Sequence, residues 1–248
     1  MGKPAAYPDL IDTVDSLGRP EVAVIGDLIL DHYVIGGVER ISPEAPIPVL
    51  HVKHEHDRLG GAANVAANVI SMGGKASLVG ALGKDEPGER FTSLADKTPG
   101  LTLLPAQIAG RPTVLKTRMV SQNQQMLRVD RENNTPLDGH AAATILKNAQ
   151  RAIKSAKAVV LSDYAKGVLT KEAAQAFIKL AREAGCRVIV DPKGRDYSKY
   201  RGAAAVTPNR GEAEAATGID CRTMEGVEKA GREGWEWLIL LTMGVAVA

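Results

Sequence analysis

The sequence predicts an α/β fold in which a mostly parallel sheet is flanked by helices and carries a small lid of β-strands. From residue 138 onward, helix and strand patterns alternate, and such alternation requires crossover connections between parallel strands. Aromatic residues make up only 4% of the chain and glycine occurs 25 times, a composition that favours close helix–sheet packing over an all-β sandwich. Two β-rich insertions, at about 32–58 and 112–131, lack a helical period and predict the lid.

The length and charge of the chain exclude several classes of protein. The 248 residues suffice for one large α/β domain or two small ones, and 44% hydrophobic residues exclude a disordered chain. A net charge of +2 gives no reason to expect nucleic acid as a partner. No apolar run is long enough to span a membrane, and residues 1–17 lack the apolar core of a secretory signal, so we expect a cytoplasmic protein. Cys186 and Cys221 lie too far apart in the sequence to indicate a zinc site.

The first half of the chain begins with Glu21–Gly26, a short apolar run that ends on glycine, as a buried parallel strand does. Apolar residues at helical spacing then predict a helix between two glycine pairs, Gly60-Gly61 and Gly73-Gly74. The remaining patterns predict strands at 32–36, 47–54 and 75–80, a helix at 87–97, and a second β-rich pair at 113–121 and 125–130.

The second half of the chain shows the regular alternation. In one helical pattern Ala173, Phe177, Leu180 and Ala184 share a face, and Gly185 follows as a stop signal. The same reasoning predicts helices at 138–154, 171–184, 211–217 and 224–234, and strands at 158–161, 187–191, 203–206 and 237–241.

Polar clusters follow several of the predicted strands, where ligands of open α/β sheets bind. Asp27 and Asp31 follow the first strand, and the other clusters lie at 162–167, 191–194 and 207–212. Any one of them is explained equally well by ordinary turn chemistry. Four clusters at one sheet edge favour a ligand site.

Gly60, Gly61 and Asn64 open the first predicted helix. Glycine lets a ligand approach the backbone, free N–H groups attract oxygen-rich groups, and Asn64 and Asn68 share a helix face that suits a polyol. The alternative is that the glycines serve tight packing and the asparagines cap the helix or face solvent.

Three basic residues, Lys116, Arg118 and Arg128, lie on the second insertion, and the first two project from the same strand face. A substrate phosphate would suit them, although a solvated strand face explains them equally well. The glycine fingerprint of dinucleotide-binding folds, a complete P-loop and the nucleophile elbow of hydrolases are all missing from the sequence.

These segments, in this order, resemble the ribokinase-like (PfkB) carbohydrate kinases, and among them the D-glycero-β-D-manno-heptose-7-phosphate kinases of bacterial ADP-heptose synthesis. The segments that carry the resemblance are VIGDLILD at 24–31, RISPEAPIPV at 40–49, GGAANVA at 60–66, SQNQQ at 121–125, LSDYAKG at 161–167, DPKG at 191–194 and TPN at 207–209.

The resemblance implies a ribokinase-like fold, ATP and Mg²⁺ as cofactors, and transfer of the ATP γ-phosphoryl to the anomeric hydroxyl of the heptose phosphate. It implies a homodimer formed through the β lid. The implied substrate-binding residues are Asp31, Gly60, Gly61, Asn64, Lys116, Arg118, Arg128, Asp163 and Lys166. The implied nucleotide-binding residues are Lys193, Asn209, Arg210, Gly211 and Glu212, of which Asn209 and Glu212 also meet the Mg²⁺ ion through bound water.

One part of the family pattern is missing. Sugar kinases of this group carry a downstream Gly-Ala-Gly-Asp segment whose aspartate is the general base and whose N–H groups hold the γ-phosphate. No acidic residue occurs from 237 to 248, so we expect the position of this aspartate to lie beyond Ala248 and assign no catalytic residue within the chain. We therefore expect residues 1–248 to form one incomplete, C-terminally truncated kinase domain with impaired turnover.

Two alternatives to this interpretation stay open. The first is a non-catalytic module that binds sugar phosphate or dimerises through the lid. The second is a kinase for another sugar phosphate.

Overall fold

The computed structural model describes residues 12, 16 and 18–235, which form two sheets with helices around the larger one. The strands are β1 (Glu21–Gly26), β2 (Leu28–Ile41), β3 (Pro48–Gly61), β4 (Lys75–Gly83), β5 (Leu101–Ile108), β6 (Val114–Ser121), β7 (Gln124–Arg131), β8 (Ala158–Ser162), β9 (Arg187–Asp191) and β10 (Ala205–Val206). The helices are α1 (Ala62–Ser71), α2 (Glu86–Asp96), α3 (Gly139–Ile153), α4 (Lys171–Glu183), α5 (Arg210–Thr217) and α6 (Met224–Trp235), with a short 3₁₀ helix at Tyr197–Tyr200.

The larger sheet has six parallel strands in the order β10-β9-β8-β1-β4-β5. Its central strands are almost wholly buried, because apolar helix faces cover both sides. One core cluster joins α3 and α4 to the sheet, with Ile145 and Phe177 among its members, and the other joins α1 and α2, with Phe91. The predicted parallel sheet with flanking helices is confirmed. No helix in the described part of the chain is long and apolar enough to cross a membrane.

One strand of this sheet, β5, has no counterpart in the sequence prediction. The run contains Pro105, and a proline inside a strand pattern weakens that assignment because it cannot donate to a ladder. The structure places β5 at the edge of the sheet, where proline is tolerated. The predicted strand at 203–206 is only two residues long, and the predicted strand at 237–241 lies outside the described residues.

The smaller sheet is the predicted lid, with strand order β3-β2-β6-β7. The two β-rich insertions pair with each other through a parallel β2–β6 ladder, while the β2–β3 and β6–β7 pairs are antiparallel. Only Asp27 separates β1 from β2, so the chain passes directly from the central strand into the lid. The lid strands of the first insertion are longer than predicted, because β2 continues through an irregular register at Gly36.

Candidate active site

Asp27, at the end of β1, organises the loop that follows β8. Its carboxylate is 1% exposed and accepts the backbone N–H groups of Tyr164, Lys166 and Val168 at 2.8, 3.1 and 3.3 Å. Burial raises the pKa of this carboxyl even though the three N–H bonds act against the shift. Asp27 therefore fixes the backbone of the 163–168 loop and is not available to a ligand.

Arg111, just before β6, holds the same loop from the lid side. Its Nη2 atom donates to the carbonyl oxygens of Asn133, Thr135 and Lys166 at 2.8, 2.9 and 2.7 Å. Gly167 lies so close to Thr135 that a Cβ atom there would collide with the Thr135 carbonyl oxygen. Arg111 thus joins the lid, through the segment after β7, to the larger sheet.

One side of the lid sheet, called the lid face below, carries most of the predicted substrate residues. The β-ladders place directly opposite residues on the same side. Two cross-strand rows define the lid face: Arg58, Asp31, Lys116 and Asp130 form one row, and His56, Tyr33, Arg118 and Arg128 form the next.

Ion pairs connect these rows. The Arg118 Nη1 atom lies 2.5 Å from Asp31 Oδ1, with both side chains 19% exposed. Lys116 and Arg128 both pair with Asp130, at 3.1 and 2.9 Å. The structure therefore brings the three predicted basic residues together, and it supplies each with a carboxylate.

The lid face meets the loop after β8 through an ion pair between Glu132 and Lys166. Lys166 Nζ lies 2.8 Å from Glu132 Oε1, and this hydrogen bond lowers the pKa of the Glu132 carboxyl. Burial raises the pKa of the Tyr164 hydroxyl, and the nearby charges of Asp191 and Asp31 raise it further. The Lys166–Glu132 pair therefore links the loop after β8 to the segment that follows β7.

The glycine pair before α1 lets the backbone pass close to Asp31. A Cβ atom on Gly60 would collide with the Asp31 carboxylate, and one on Gly61 would collide with the carbonyl oxygen of Asp27. Gly61 also has a φ of +59°, which favours glycine. Asn64, in the first turn of α1, is exposed, so its amide is accessible to a ligand.

Asp163, one of the predicted substrate-binding residues, is bonded within the protein. The side chain is 2% exposed, and its Oδ2 atom accepts from Lys199 Nζ at 2.5 Å and from the Tyr200 hydroxyl at 2.6 Å. Its Oδ1 atom accepts the Ala165 N–H at 2.7 Å. Asp163 therefore supports the loop after β8, and its predicted contact with substrate stays a prediction.

The predicted nucleotide residues lie beyond β9 and β10. Asn209 and Glu212 form a reciprocal capping box at the start of α5, with both hydrogen bonds at 3.0 Å. Lys193 Nζ lies 2.9 Å from Glu212 Oε1, and Arg210 and Gly211 form the exposed first turn of the helix. These residues share one patch.

Asp191, at the end of β9, adds a second carboxylate to this patch. Burial raises the pKa of Asp191 to about 6, and the negative charge of Glu212 contributes. A carboxylate that lies beside a second negative charge in this way suits a cation. Within the described residues no group of three or more acidic, histidine or cysteine side chains could hold a metal directly. A magnesium ion that reaches Asn209 and Glu212 through water fits this donor set better than direct ligation.

The sequence predicts no general base within the chain, and two buried carboxylates near the loop after β8 do not supply one. The carboxylates of Asp27 and Asp163 are engaged in hydrogen bonds within the protein, so neither is free to take the proton of a substrate hydroxyl. The expected position of the family's catalytic aspartate lies outside the described residues. The position of this aspartate therefore stays a prediction, and so does the impaired turnover of the 248-residue chain.

Several residues of the site were missed by the sequence analysis. Glu132 and Arg58 continue the period-two pattern of β7 and β3, so alternation could have placed them on the lid face. Arg111 has no such signal, because its three carbonyl acceptors come from distant parts of the chain.

A further cluster braces the base of the lid on the opposite side of the sheet. Asp57 accepts from Arg90 Nε of α2 at 2.8 Å, and the His32 ring lies 2.8 Å away through Nδ1. Burial would raise the pKa of Asp57, but hydrogen bonds from Arg90 and His32 outweigh it and lower the pKa. The lid is thus tied to the larger body on both sides.

Comparison with known proteins agrees with this architecture. The pfkB family carbohydrate kinase profile matches residues 19–246. The chain is 49% identical over 212 residues to the bifunctional protein HldE of Caulobacter sp. strain K31, covering 84% of this chain and 43% of that protein. It is 44% identical over 211 residues to the bifunctional protein HldE of Gluconacetobacter diazotrophicus, covering 85% and 44%.

Solved structures show the same fold at lower identity. The Arabidopsis thaliana ribokinase complexed with ribose and ATP superposes with a TM-score of 0.64 at 20% identity, covering 90% of this chain and 72% of that one. The chain spans less than half the length of the two HldE relatives it matches.

Proposed function

Because the chain belongs to the pfkB family of carbohydrate kinases, we propose that it phosphorylates a heptose phosphate at the expense of ATP. The proposed substrate is D-glycero-β-D-manno-heptose 7-phosphate, and the proposed product is its 1,7-bisphosphate, a precursor of ADP-heptose for lipopolysaccharide. The observation that carries this proposal is the lid face, where acidic and basic side chains lie together and Asp31 approaches Gly60 of the glycine pair before α1. We place the reaction in the cytoplasm, where ATP and sugar phosphates occur together.

The lid-face residues divide into two roles under this proposal. The Asp31 carboxylate accepts hydrogen bonds from sugar hydroxyls, and the Asn64 amide bonds a further hydroxyl. Lys116, Arg118 and Arg128 attract the phosphate of the substrate through charge-assisted hydrogen bonds. Lys166 holds the loop against the lid through Glu132, which keeps both parts of the site in register.

ATP supplies the phosphoryl group that is transferred, and Mg²⁺ neutralises the charge that develops on the phosphates. We assign the nucleotide phosphates to the patch formed by Lys193, Arg210 and Gly211. Asn209 and Glu212 are assigned to the water shell of the magnesium ion. Asp191 supports this assignment, because its carboxyl group lies close enough to Glu212 for their negative charges to interact, and a cation would offset that repulsion.

We also propose that the protein is a homodimer formed through the lid. Large apolar side chains of the lid are exposed at positions that no described element covers: Ile41, Ile47, Val52, Met126, Leu127 and Val129. A second copy would bury such residues on a matching lid.

An assay of ADP release with heptose 7-phosphate, magnesium and ATP tests the proposed reaction. Turnover with this sugar, and a product phosphorylated on the anomeric oxygen by NMR, would support it. Saturable binding without ADP release would favour the non-catalytic sugar-phosphate module. A higher kcat/KM for another sugar phosphate, such as fructose 6-phosphate, would replace the proposed substrate.

A further inference from the structure

Arg58 of β3 belongs to the lid face although nothing above assigns it a ligand. It lies opposite Asp31 in the β2–β3 ladder, and its guanidinium carbon is 5.2 Å from the centre of the Tyr33 ring. The guanidinium carbon of Arg118 lies 5.3 Å from the same ring centre. Because both guanidinium carbons lie within 5.3 Å of one ring centre, they are at most about 11 Å apart. Two flexible arginine side chains at this separation can reach one anion.

Arg58 differs from the other cations of the lid face because it has no carboxylate partner in the described part of the chain. Lys116, Arg118, Arg128 and Lys166 each have a carboxylate partner. Within residues 18–235, Arg58 forms no ion pair, and its side chain is exposed.

The charges around Arg58 do not balance. Five cations, counting Lys166, face three carboxylates, namely Asp31, Asp130 and Glu132, which leaves two positive charges. A phosphate monoester carries about −1.5 to −2 near neutral pH, which matches this excess.

A second observation points to the same position. The Nε2 atom of His56 is buried and has no hydrogen-bond partner in the described part of the chain. The His56 ring stacks on Tyr33, with ring centres 5.0 Å apart and an angle of 3° between the planes, so its orientation is held. A buried ring nitrogen without a partner is uncommon, and an oxygen atom of a ligand would provide one.

We propose that Arg58, together with Arg118 and the Nε2 atom of His56, binds the phosphate group of the sugar substrate. The inference rests on the proposed function for the identity of the sugar, but the anion site itself requires only a phosphorylated ligand. Tyr33 acts as the platform that holds both guanidinium groups and the imidazole. Arg58 is a specificity-determining residue in this arrangement, because it selects phosphorylated over unphosphorylated sugars.

The experiment is a calorimetric titration of the 248-residue chain with heptose 7-phosphate, unphosphorylated heptose, fructose 6-phosphate and inorganic phosphate. The variants are Arg58→Gln, Arg58→Lys and the matched control Arg131→Gln, which removes the same charge from the other side of the lid sheet. Arg58→Gln should weaken binding of the phosphorylated sugar about 10- to 100-fold and leave unphosphorylated heptose unchanged. Arg58→Lys should recover part of the loss, and Arg131→Gln should stay within about twofold of the wild type.

The outcomes separate the site from the proposed substrate. Equal affinity of Arg58→Gln and the wild type for the phosphorylated sugar, or an equal loss for both sugars, would overturn the phosphate site. Tighter binding of fructose 6-phosphate than of heptose 7-phosphate, with the Arg58 effect retained, would overturn the proposed substrate and support the site. A wild-type chain that binds no phosphorylated ligand would overturn both.

Discussion

At the scale of single residues, the neighbouring atoms decide which amino acid a position can hold, and Gly60 is the clearest case. Its missing Cβ leaves room for the carboxylate of Asp31, which is at the same time paired with Arg118. The residue is a glycine because of a contact between two neighbouring strands, since its own backbone does not need a positive φ.

Gly60→Ala should displace the Asp31 carboxylate and weaken sugar-phosphate binding about 10-fold or more, because one charge-assisted acceptor is lost. Titration calorimetry measures the change in Kd. Gly139→Ala is the matched control, since a Cβ atom there meets nothing within 4 Å. Unchanged binding by Gly60→Ala would show that Asp31 does not contact the sugar.

The carboxyl of Asp191 makes the stability of the fold depend on pH. Its pKa is about 6 in the folded chain and about 3.9 when unfolded, so the folded state holds the proton more tightly. The contribution of Asp191 to the free energy of unfolding is therefore most favourable below about pH 4. It falls as the pH rises from about 4 to about 6, and it stays at the lower value above that pH.

Asp191→Asn should therefore stabilise the protein by about 1–2 kcal/mol at about pH 8 and by almost nothing at about pH 4, with the smaller figure expected from solvent screening. Urea unfolding at both pH values measures the difference. Asp96→Asn, which removes an exposed carboxylate at the end of α2, is the control. A gain of equal size at both pH values would contradict the assignment to ionisation.

At the scale of elements, the loop after β8 is held by groups that belong to other elements. Asp27 binds three of its N–H groups and Arg111 binds the carbonyl of Lys166, so the loop is fixed at four backbone positions. Burial lowers the pKa of Arg111, but three carbonyl acceptors compensate for part of its lost hydration.

Arg111→Gln should lower the free energy of unfolding by about 1–2 kcal/mol, because partly buried carbonyl oxygens lose their donor. It should also weaken sugar-phosphate binding, since Lys166 and Glu132 would no longer be held in register. Urea unfolding and calorimetry measure the two effects. Arg187, at the start of β9, is exposed and has no described ion-pair partner. The control Arg187→Gln should therefore change neither the stability nor the binding. If Arg111→Gln is as stable as the wild type, Arg111 does not stabilise the loop after β8.

At the scale of the whole molecule, the lid extends from the larger body as a four-stranded sheet with exposed apolar side chains. Leu127 and Val129 of β7 are 53% and 48% exposed and lie on the same side of the strand. Such a surface supports the proposed interface between copies of the chain.

Leu127→Asp should convert the proposed dimer into monomers, because a charge at the interface cannot be hydrated once it is buried. Sedimentation equilibrium gives the mass of each form. Met72→Asp places the same charge on a side chain that is 83% exposed, at the end of α1, and should leave the mass unchanged. A wild-type chain that sediments as a monomer would contradict the lid-mediated dimer.

The local patterns of the sequence were sufficient for most helices and strands and for locating the two β-rich insertions that form the lid. Helical spacing, glycine stops and strand alternation act over a few residues, so they can be recognised without knowing the fold. The same patterns, with the motif resemblance, indicated the carbohydrate kinase family and the basic residues of the lid.

Only the tertiary structure decided how the charged residues are paired. Arg118 is 87 positions from Asp31, Lys166 is 34 from Glu132, and Arg111 meets carbonyls 22 to 55 positions away. It also turned Asp163 toward Tyr200 and placed β5 at an edge where Pro105 is tolerated. These features depend on contacts between distant segments, and local periodicity carries no information about which segments meet.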